Sequence, residues 1–256
     1  MLAWQARQDM CEYGRRLWRL KYVAANDGNL SVRLGADRIL ATPTGVSKGF
    51  MEPEDLIVTD MDGSLVEGRA QASSELKMHL EVYRLREDVQ AVVHAHPPVA
   101  TAFSVAGIEL NQCILPESVL VLGAIPIAPY ATPSTDEIPE GLRPCITRCD
   151  AVLLANHGAV CWADSLRGAY YRMETLEHTA TITQHAMLLG RVQPLSAPDV
   201  AKLQAVRRTM GISGRVLPCV AAGSCAVPQV GALDAESEQL IEQVTQAVLT
   251  VLGRKS

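Results

Sequence analysis

The feature that most constrains the fold is an apolar run in the middle of the chain, Ala91-Val-Val-His-Ala-His96. A short, nearly continuous apolar run of this kind predicts a buried β-strand. Because side chains alternate along a strand, His94 and His96 lie on the same face. The strand therefore presents two imidazoles side by side at its end, within reach of one ion.

Helical and strand patterns alternate around this run. Leu2, Ala6, Met10 and further apolar residues recur at spacings of three and four, which predicts an amphipathic first helix. Helices interspersed with short strands indicate an α/β domain with a mixed sheet. The other predicted strands are 30–34, 38–41, 56–59, 64–67, 124–128 and 151–155, and the other predicted helices are 74–85, 135–147, 164–189 and 199–210.

Composition narrows the class of protein. With 256 residues, 48% of them hydrophobic, the chain can bury a full core in one globular domain. A net charge of −5 gives no basic surface for nucleic acid. No apolar run approaches the roughly 18 residues that span a bilayer, and the N-terminus lacks the apolar core of a signal peptide. These observations predict a cytoplasmic protein that binds neither nucleic acid nor membrane.

The seven cysteines are an odd number and contain no Cys-x-x-Cys pair. This spacing signals neither a disulfide framework nor a cysteine-ligated zinc site. We therefore expect the cysteines to be reduced and structural.

The composition changes after the last predicted domain helix. Residues 1–211 form the predicted catalytic domain, and the glycine-rich residues 212–233 are expected to be a flexible linker. Residues 234–256 carry an apolar stripe at helical spacing, which predicts a C-terminal amphipathic helix.

A third histidine of interest, His157, follows the apolar run at 152–155 and precedes Gly158. Three neutral imidazoles that leave one coordination position open are typical of a catalytic zinc site. The remaining histidines, His79, His178 and His185, fall within helical patterns and are interpreted as core-edge or surface side chains.

A carboxylate and several small polar residues accompany the imidazoles. Glu75 follows Ser73 and Ser74 at a predicted helix start, which is compatible both with an ordinary helix cap and with a catalytic base. Free N–H groups and hydroxyls at such a position suit a phosphate. Two small-residue turns, Gly28-Asn29 and Thr44-Gly45, are further candidates for the same anion. Lys48 and Lys77 lie near these motifs and are interpreted as solvated charges.

As a set, these motifs resemble the class II aldolase/adducin superfamily, and within it the L-fuculose-1-phosphate aldolases, from about residue 5 to residue 210. The resemblance implies a three-layer α/β/α domain with a central mixed, largely antiparallel sheet, assembled as a homotetramer. The motifs are Gly28-Asn29-Leu-Ser-Val-Arg33, Thr42-Pro-Thr-Gly45, Ser73-Ser-Glu75, Ala91-Val-Val-His-Ala-His96, Ala128-Pro-Tyr-Ala-Thr132 and Asn156-His157-Gly158.

The resemblance also implies roles for individual residues. One zinc ion per subunit is held by His94, His96 and His157, and Glu75 shuttles a proton at the dihydroxyacetone phosphate carbon. Asn29 hydrogen-bonds the enediolate oxygen. The substrate phosphate is expected to contact Gly28, Asn29, Thr44, Gly45, Ser73 and Ser74. The reaction so implied is reversible cleavage of L-fuculose 1-phosphate, or a related deoxyketose 1-phosphate, to dihydroxyacetone phosphate and an aldehyde such as L-lactaldehyde.

One position departs from the family pattern. Leu115 stands where these aldolases carry the tyrosine that protonates the departing aldehyde, and nearby Glu117 is a candidate for that role. Pro116-Glu117 is equally compatible with an ordinary turn. The departure keeps other activities of the superfamily open: a methylthioribulose-1-phosphate dehydratase, a ketopentose-phosphate epimerase, a decarboxylase, or a non-catalytic adducin-like module.

The C-terminal tail lies outside the resemblance to the aldolases. It is similar to an encapsulation peptide, the helix that targets enzymes to the interior of a bacterial microcompartment. The alternative is a helix that packs on a neighbouring subunit.

Overall fold

The computed structural model describes residues 3–222, and the structural statements below refer to that range. It contains seven α-helices and eight β-strands. The helices are α1 (Ala3–Arg19), α2 (Leu76–Leu85), α3 (Pro98–Ala106), α4 (Pro116–Val121), α5 (Glu137–Ile146), α6 (Leu166–Leu188) and α7 (Ala197–Thr209). The strands are β1 (Asn29–Gly35), β2 (Arg38–Ala41), β3 (Ile57–Thr59), β4 (Leu65–Glu67), β5 (Ala91–Ala95), β6 (Ile127–Ala128), β7 (Ala151–Leu154) and β8 (Gly158–Ala163).

The eight strands form one sheet in the order β4-β3-β2-β1-β5-β8-β7-β6. Every neighbouring pair is antiparallel except β6 and β7, which run parallel. The predicted mixed, largely antiparallel sheet is therefore confirmed. The central position of β5 explains its composition, because a strand covered on both faces can expose no polar side chain to water.

Helices cover both faces of this sheet. On one face, α1, α3 and α6 pack on a core that includes Met10, Val93 and Met173. On the other face, α2 and α5 pack on a core that includes Val92 and Leu142. Adjacent residues of β5 thus point into opposite layers, as the period of a strand requires. This arrangement confirms the three-layer α/β/α fold. None of the described helices is both long and apolar enough to cross a membrane.

Several elements differ from the sequence predictions. Strand β8 was not predicted, because its sequence Gly-Ala-Val-Cys-Trp-Ala is buried throughout and shows no alternation of polar and apolar residues. The short helices α3 and α4 were also missed. The predicted N-cap of α6 was Asp164, but the helix begins one residue later, at Leu166. Its N-cap is Ser165, whose hydroxyl accepts a hydrogen bond from the backbone N–H of Gly168.

The first residues of the predicted linker lie against the domain. The backbone N–H of Arg215 donates to the buried Asp150 carboxylate at 2.9 Å. Residues 217 and 220 form β-bridges with residues 123, 124 and 112. The rest of the predicted linker and the predicted helix at 234–256 lie outside the described residues.

A disulfide joins Cys113 to Cys219, across 106 positions of sequence. The expectation that all seven cysteines are reduced was therefore wrong. Cys113 follows α3, and Cys219 belongs to the segment that packs back on the domain. The number and local spacing of the cysteines could not predict this pair. The two thiols are far apart in sequence, and only folding brings them together.

Candidate metal centre

Three imidazoles converge at one end of β5. The ring centroids of His94, His96 and His157 are 4.8 to 5.0 Å apart. Nε2 of His94 and Nε2 of His96 are 3.2 Å apart. One nitrogen from each ring lies within 4.8 Å of the others. The sequence prediction that these three side chains meet thus agrees with the geometry.

Strand pairing orients the first of these rings. His94 lies opposite Val160 of the neighbouring strand β8, and its Nδ1 lies 2.9 Å from the carbonyl oxygen of Ala159. A carbonyl can only accept, so this contact places the imidazole proton on Nδ1. Nε2 of His94 is left with a free lone pair directed at the other two rings.

A glycine and a strained turn make room for the other two rings. His157 lies between β7 and β8, directly after Asn156, which has a left-handed φ of 55°. A Cβ on Gly158 would come within 2.6 Å of Cδ2 of His96 and of the carbonyl oxygen of Ala95. The Asn-His-Gly sequence therefore supplies both the tight turn and the space for the His96 imidazole.

Burial keeps the imidazoles of His94 and His96 in the neutral form that binds metals. His94 is fully buried, and burial lowers its pKa to about 3. Burial also lowers the pKa of His96. Neutral imidazole nitrogens at a mutual distance of a few ångströms are the donors that first-row divalent metals prefer. His94, His96 and His157 therefore fit a bound metal ion.

The Glu75 carboxylate lies against the same group. Its Oε1 is 3.1 Å from Nε2 of His157, and its Oε2 is 3.4 Å from Nε2 of His94. Glu75 is the N-cap residue of α2, but its side chain makes no capping hydrogen bond. In the turn before the helix, the Ser73 hydroxyl accepts from the backbone N–H of Glu75 at 3.3 Å.

Burial alone would raise the pKa of the Glu75 carboxyl, but the facing groups reverse this effect. The imidazoles of His94 and His157 and the amide of Asn29 together hold the pKa of Glu75 below its usual range. Asn29 donates to Oε2 of Glu75 at 2.8 Å. The carboxylate is thus charged near neutral pH.

The predicted phosphate-binding residues lie on neighbouring turns. The Asn29 amide also lies 3.3 Å from the Ser73 hydroxyl, and the backbone N–H of Thr44 donates to Gln71 at 3.0 Å. Gly45 has a φ of 74° and open space where a Cβ would stand. The Ser74 hydroxyl lies 2.7 Å from that of Ser134.

Gly28 is required because its turn lies close against the backbone of β5. It adopts a φ of 69°, and a Cβ there would lie 2.8 Å from the carbonyl oxygen of His94. Any side chain would therefore push the turn away from β5 and displace Asn29 from Glu75.

The two lysines near the motifs differ from each other. Lys77 is exposed and pairs with Asp136, as expected of a solvated charge. Lys48 is only 1% exposed, so its interpretation as a solvated charge was wrong. Its Nζ donates to the carbonyl oxygens of Asn26 at 2.7 Å and Val46 at 2.9 Å. Burial lowers the pKa of Lys48 to about 8.

Glu117, the candidate proton donor, is exposed in the first turn of α4. Helix α4 packs against α6 and α7. Among the described residues, no hydrogen bond or ion pair joins Glu117 to the imidazoles or to Glu75. The structure thus brings together the other predicted catalytic residues and leaves Glu117 outside their hydrogen-bond network.

The other histidines do not join the imidazole group. His79 is buried in α2, where its Nδ1 lies 2.7 Å from the Ser31 hydroxyl, and burial lowers its pKa to about 4. His178 and His185 are exposed on α6. Asp27 was not predicted as a site residue, although its carboxylate is 3.6 Å from Nδ1 of His96. In the sequence it is one polar residue of a turn, with no pattern that marks it.

Comparison with known proteins agrees with this geometry. Residues 8–184 match the family described as the class II aldolase and adducin N-terminal domain. The chain belongs to this family and is an enzyme of the aldolase type.

Individual relatives are named for different activities. An L-fuculose phosphate aldolase from Methanococcus maripaludis is 36% identical over 168 residues, which are 66% of this chain and 90% of that protein. A 3-oxo-tetronate 4-phosphate decarboxylase from Pectobacterium atrosepticum is 34% identical over 205 residues, 78% of this chain and 92% of that one. A solved structure of an L-fuculose 1-phosphate aldolase superposes with a TM-score of 0.73 at 29% identity, covering 79% of this chain and 95% of that chain.

Proposed function

We propose that the protein is a zinc-dependent aldolase that reversibly cleaves L-fuculose 1-phosphate, or a related deoxyketose 1-phosphate, to dihydroxyacetone phosphate and an aldehyde such as L-lactaldehyde. The observation that carries the proposal is the position of Glu75. Its carboxylate lies within 3.4 Å of two of the three converging imidazoles and is held by Asn29. An acid/base thus stands beside the place where a substrate carbonyl would be polarised.

Zinc is the preferred ion for three imidazoles with an open fourth position. Held by His94, His96 and His157, it would act as a Lewis acid on the ketose carbonyl and the adjacent hydroxyl. The backbone carbonyl at Nδ1 of His94 orients that ring for this purpose.

The chain's own residues would carry the proton transfers. In the cleavage direction Glu117 would accept the proton of the C4 hydroxyl as the bond between C3 and C4 breaks, and the electron pair of that bond enters an enediolate. Glu75, having taken a proton from solvent, would deliver it to C3 of that enediolate, which gives dihydroxyacetone phosphate, and Glu117 would return its proton to solvent. In the synthetic direction the Glu75 carboxylate would remove the same proton. The amide of Asn29 is placed to hydrogen-bond the enediolate oxygen.

The phosphate would lie among the turns that carry Gly28, Asn29, Thr44, Gly45, Ser73 and Ser74. Glycines, hydroxyls and backbone N–H groups at the start of α2 are the donors that bind such an anion. Glu117 would serve the aldehyde end. Since it lies on the exposed first turn of α4, it fits this role best if a neighbouring subunit of the expected homotetramer supplies it.

The test is a panel assay on the full chain with added Zn²⁺. L-Fuculose 1-phosphate and related deoxyketose 1-phosphates are each assayed for release of dihydroxyacetone phosphate and of aldehyde. The expected result is release from at least one of them, abolished by a chelator and restored by Zn²⁺. Loss of water from every substrate without dihydroxyacetone phosphate would sink the aldolase assignment.

A decarboxylase is the second candidate, and the Pectobacterium relative favours it. Loss of carbon dioxide from a 3-oxo acid phosphate also leaves an enediolate, so the imidazoles, Glu75 and Asn29 suit this reaction equally. Including 3-oxo-tetronate 4-phosphate in the panel separates the two. Release of carbon dioxide from it, with no cleavage of the ketose phosphates, would assign the decarboxylase.

For the C-terminal tail, the proposal is a targeting helix for a bacterial microcompartment. The apolar stripe of 234–256 on a small-residue tether supports it. The competing role is packing on a neighbouring subunit. Transfer of residues 223–256 to a fluorescent protein tests the first role, and the subunit count of the chain without these residues tests the second.

A further inference from the structure

The ring of His96 has a partner on the side away from the other imidazoles. Its Nε2 faces His94, whereas its Nδ1 lies 3.6 Å from Oδ2 of Asp27. Asp27 is half-buried at the end of the turn that leads into β1. At this distance the contact is an electrostatic one, too long for a direct hydrogen bond. The negative charge of the carboxylate favours the tautomer with the proton on the outer nitrogen, as carboxylate partners of metal-binding histidines do.

The turn that carries Asp27 is hydrogen-bonded to His96, the residue that follows β5. The backbone N–H of His96 donates to the carbonyl of Tyr22 at 2.8 Å, and that of Asp27 donates to Ala24 at 2.8 Å. Ala25, between them, has a left-handed φ of 44°. A non-glycine residue stays in this conformation only where the surroundings impose it.

Lys48 also binds this turn. Its buried ammonium donates to the carbonyl of Asn26, the residue next to Asp27, at 2.7 Å. The Asp27 and Glu75 carboxylates both attract this ammonium. The backbone of the turn is thus held at its start by His96 and near its end by Lys48, which keeps Asp27 next to the His96 ring.

We propose that Asp27 is a positioning residue of the metal centre: its carboxylate holds the His96 proton on Nδ1 and so directs the Nε2 lone pair at the metal. The proposal rests on the proposed function only in requiring a metal ion at the three imidazoles. His94 is oriented by the Ala159 carbonyl, which no substitution removes. Asp27 is therefore the orienting group that mutagenesis can test.

The experiment measures Zn²⁺ affinity directly, by competition with a chromophoric chelator, on the full chain without substrate. Asp27→Asn keeps the size of the side chain and removes its charge. We expect Zn²⁺ to bind about tenfold more weakly, the lower end of the range for such partners, because Asp27 is only half-buried. Asp27→Glu should recover part of the affinity. The matched control is Asp62→Asn, at an exposed carboxylate that pairs with Arg84.

A second measurement separates positioning from folding. The metal-free wild type and Asp27→Asn should unfold at the same urea concentration, while the stabilisation by added Zn²⁺ should be smaller in the variant. Equal Zn²⁺ affinity of the two proteins would overturn the proposal, and so would a weakening matched by an equal loss of metal-free stability. A wild type that binds no Zn²⁺ would overturn the proposed function as well, so the two failures are distinguishable.

Discussion

The side-chain amide of Asn29, at the start of β1, donates a 2.8 Å hydrogen bond to the Glu75 carboxylate at the start of α2. The same carboxylate faces His94 from the end of β5. β1 and β5 are paired so that Asn29 lies directly opposite His94. The register of two strands therefore brings Asn29 and His94 to the same carboxylate, that of Glu75.

Replacing Glu75 by Gln should abolish most of the activity. Gln keeps the size of the side chain and its contact with Asn29 but accepts no proton, so kcat should fall by about 10² to 10⁴. The measurement is the rate of dihydroxyacetone phosphate release at saturating substrate. Glu87→Gln, at an exposed position, is the control and should keep the wild-type rate. A Glu75→Gln rate within threefold or so of the wild type would remove Glu75 from the acid/base role.

Replacing His157 by Ala should empty the metal site without unfolding the domain. Two imidazoles remain, and they cannot complete the three-ligand set of a catalytic zinc ion. Metal content after dialysis should fall from about one ion per chain to near zero. His178→Ala, at an exposed histidine of α6, should retain its metal. Full metal content in His157→Ala would show that the ion is bound elsewhere.

Replacing the buried Lys48 by Met should change how stability depends on pH. The pKa of Lys48 is about 8 in the folded protein against 10.5 for an unperturbed lysine. At a pH between these two pKa values, Lys48 has lost its proton in the folded state and keeps it in the unfolded state. The free energy of unfolding of the wild type therefore increases as the pH rises. The gain approaches about 1.4 kcal/mol for each unit of pKa difference.

The measurement for Lys48 is the free energy of unfolding in urea from pH 7.5 to 10.5, expressed as wild type minus Lys48→Met. That difference should grow as the pH rises. The same comparison with Lys77→Met should stay flat, because Lys77 is 54% exposed and pairs only at the surface. A flat difference for Lys48 would mean that its ammonium is not disfavoured by burial.

Breaking the disulfide should destabilise the domain and leave the active site intact. Cys219→Ser frees a loop of 106 residues, and cross-links of native proteins contribute about 2 to 4 kcal/mol. Urea unfolding with and without a reductant measures the loss. Cys145→Ser, at a free cysteine, should unfold like the wild type and respond equally to reductant. Wild-type stability that a reductant leaves unchanged would contradict a structural disulfide.

Two truncated chains, one ending after Ala222 and one after Gly211, should differ sharply in stability. Ending the chain after Ala222 keeps the segment that pairs with the domain, so activity and stability should match the full chain. Ending it after Gly211 removes Cys219 and the Arg215 N–H that binds Asp150, and leaves a buried carboxylate short of one donor. That loss costs about 1 to 3 kcal/mol in addition to the disulfide. Equal melting temperatures of the two truncations would show that residues 212–222 contribute no stability.

Local patterns predicted most elements because those elements carry strong periodicity. The hairpin strands β1 and β2 were predicted within a residue of their ends, and helix α1 was predicted from the spacing of its apolar residues. Strand β8 did not, since burial on all sides removes the alternation that marks a strand. Helix α4 is short and begins with a proline, so a turn fitted the same residues equally well.

The sequence by itself predicted the imidazoles and Glu75 of the candidate site, because His94-Ala-His96, Ser73-Ser74-Glu75 and Asn156-His157-Gly158 are local motifs, whereas no such motif marked Asp27. Only the tertiary structure decided how they act together. Strand register sets Asn29 beside Glu75, the missing side chain of Gly158 admits the His96 ring, and the fold buries Lys48 beneath the turn of Asp27. Burial, charge pairing and the Cys113–Cys219 bond depend on residues that are far apart in the sequence and close in space. A local sequence pattern does not show which distant residues come together.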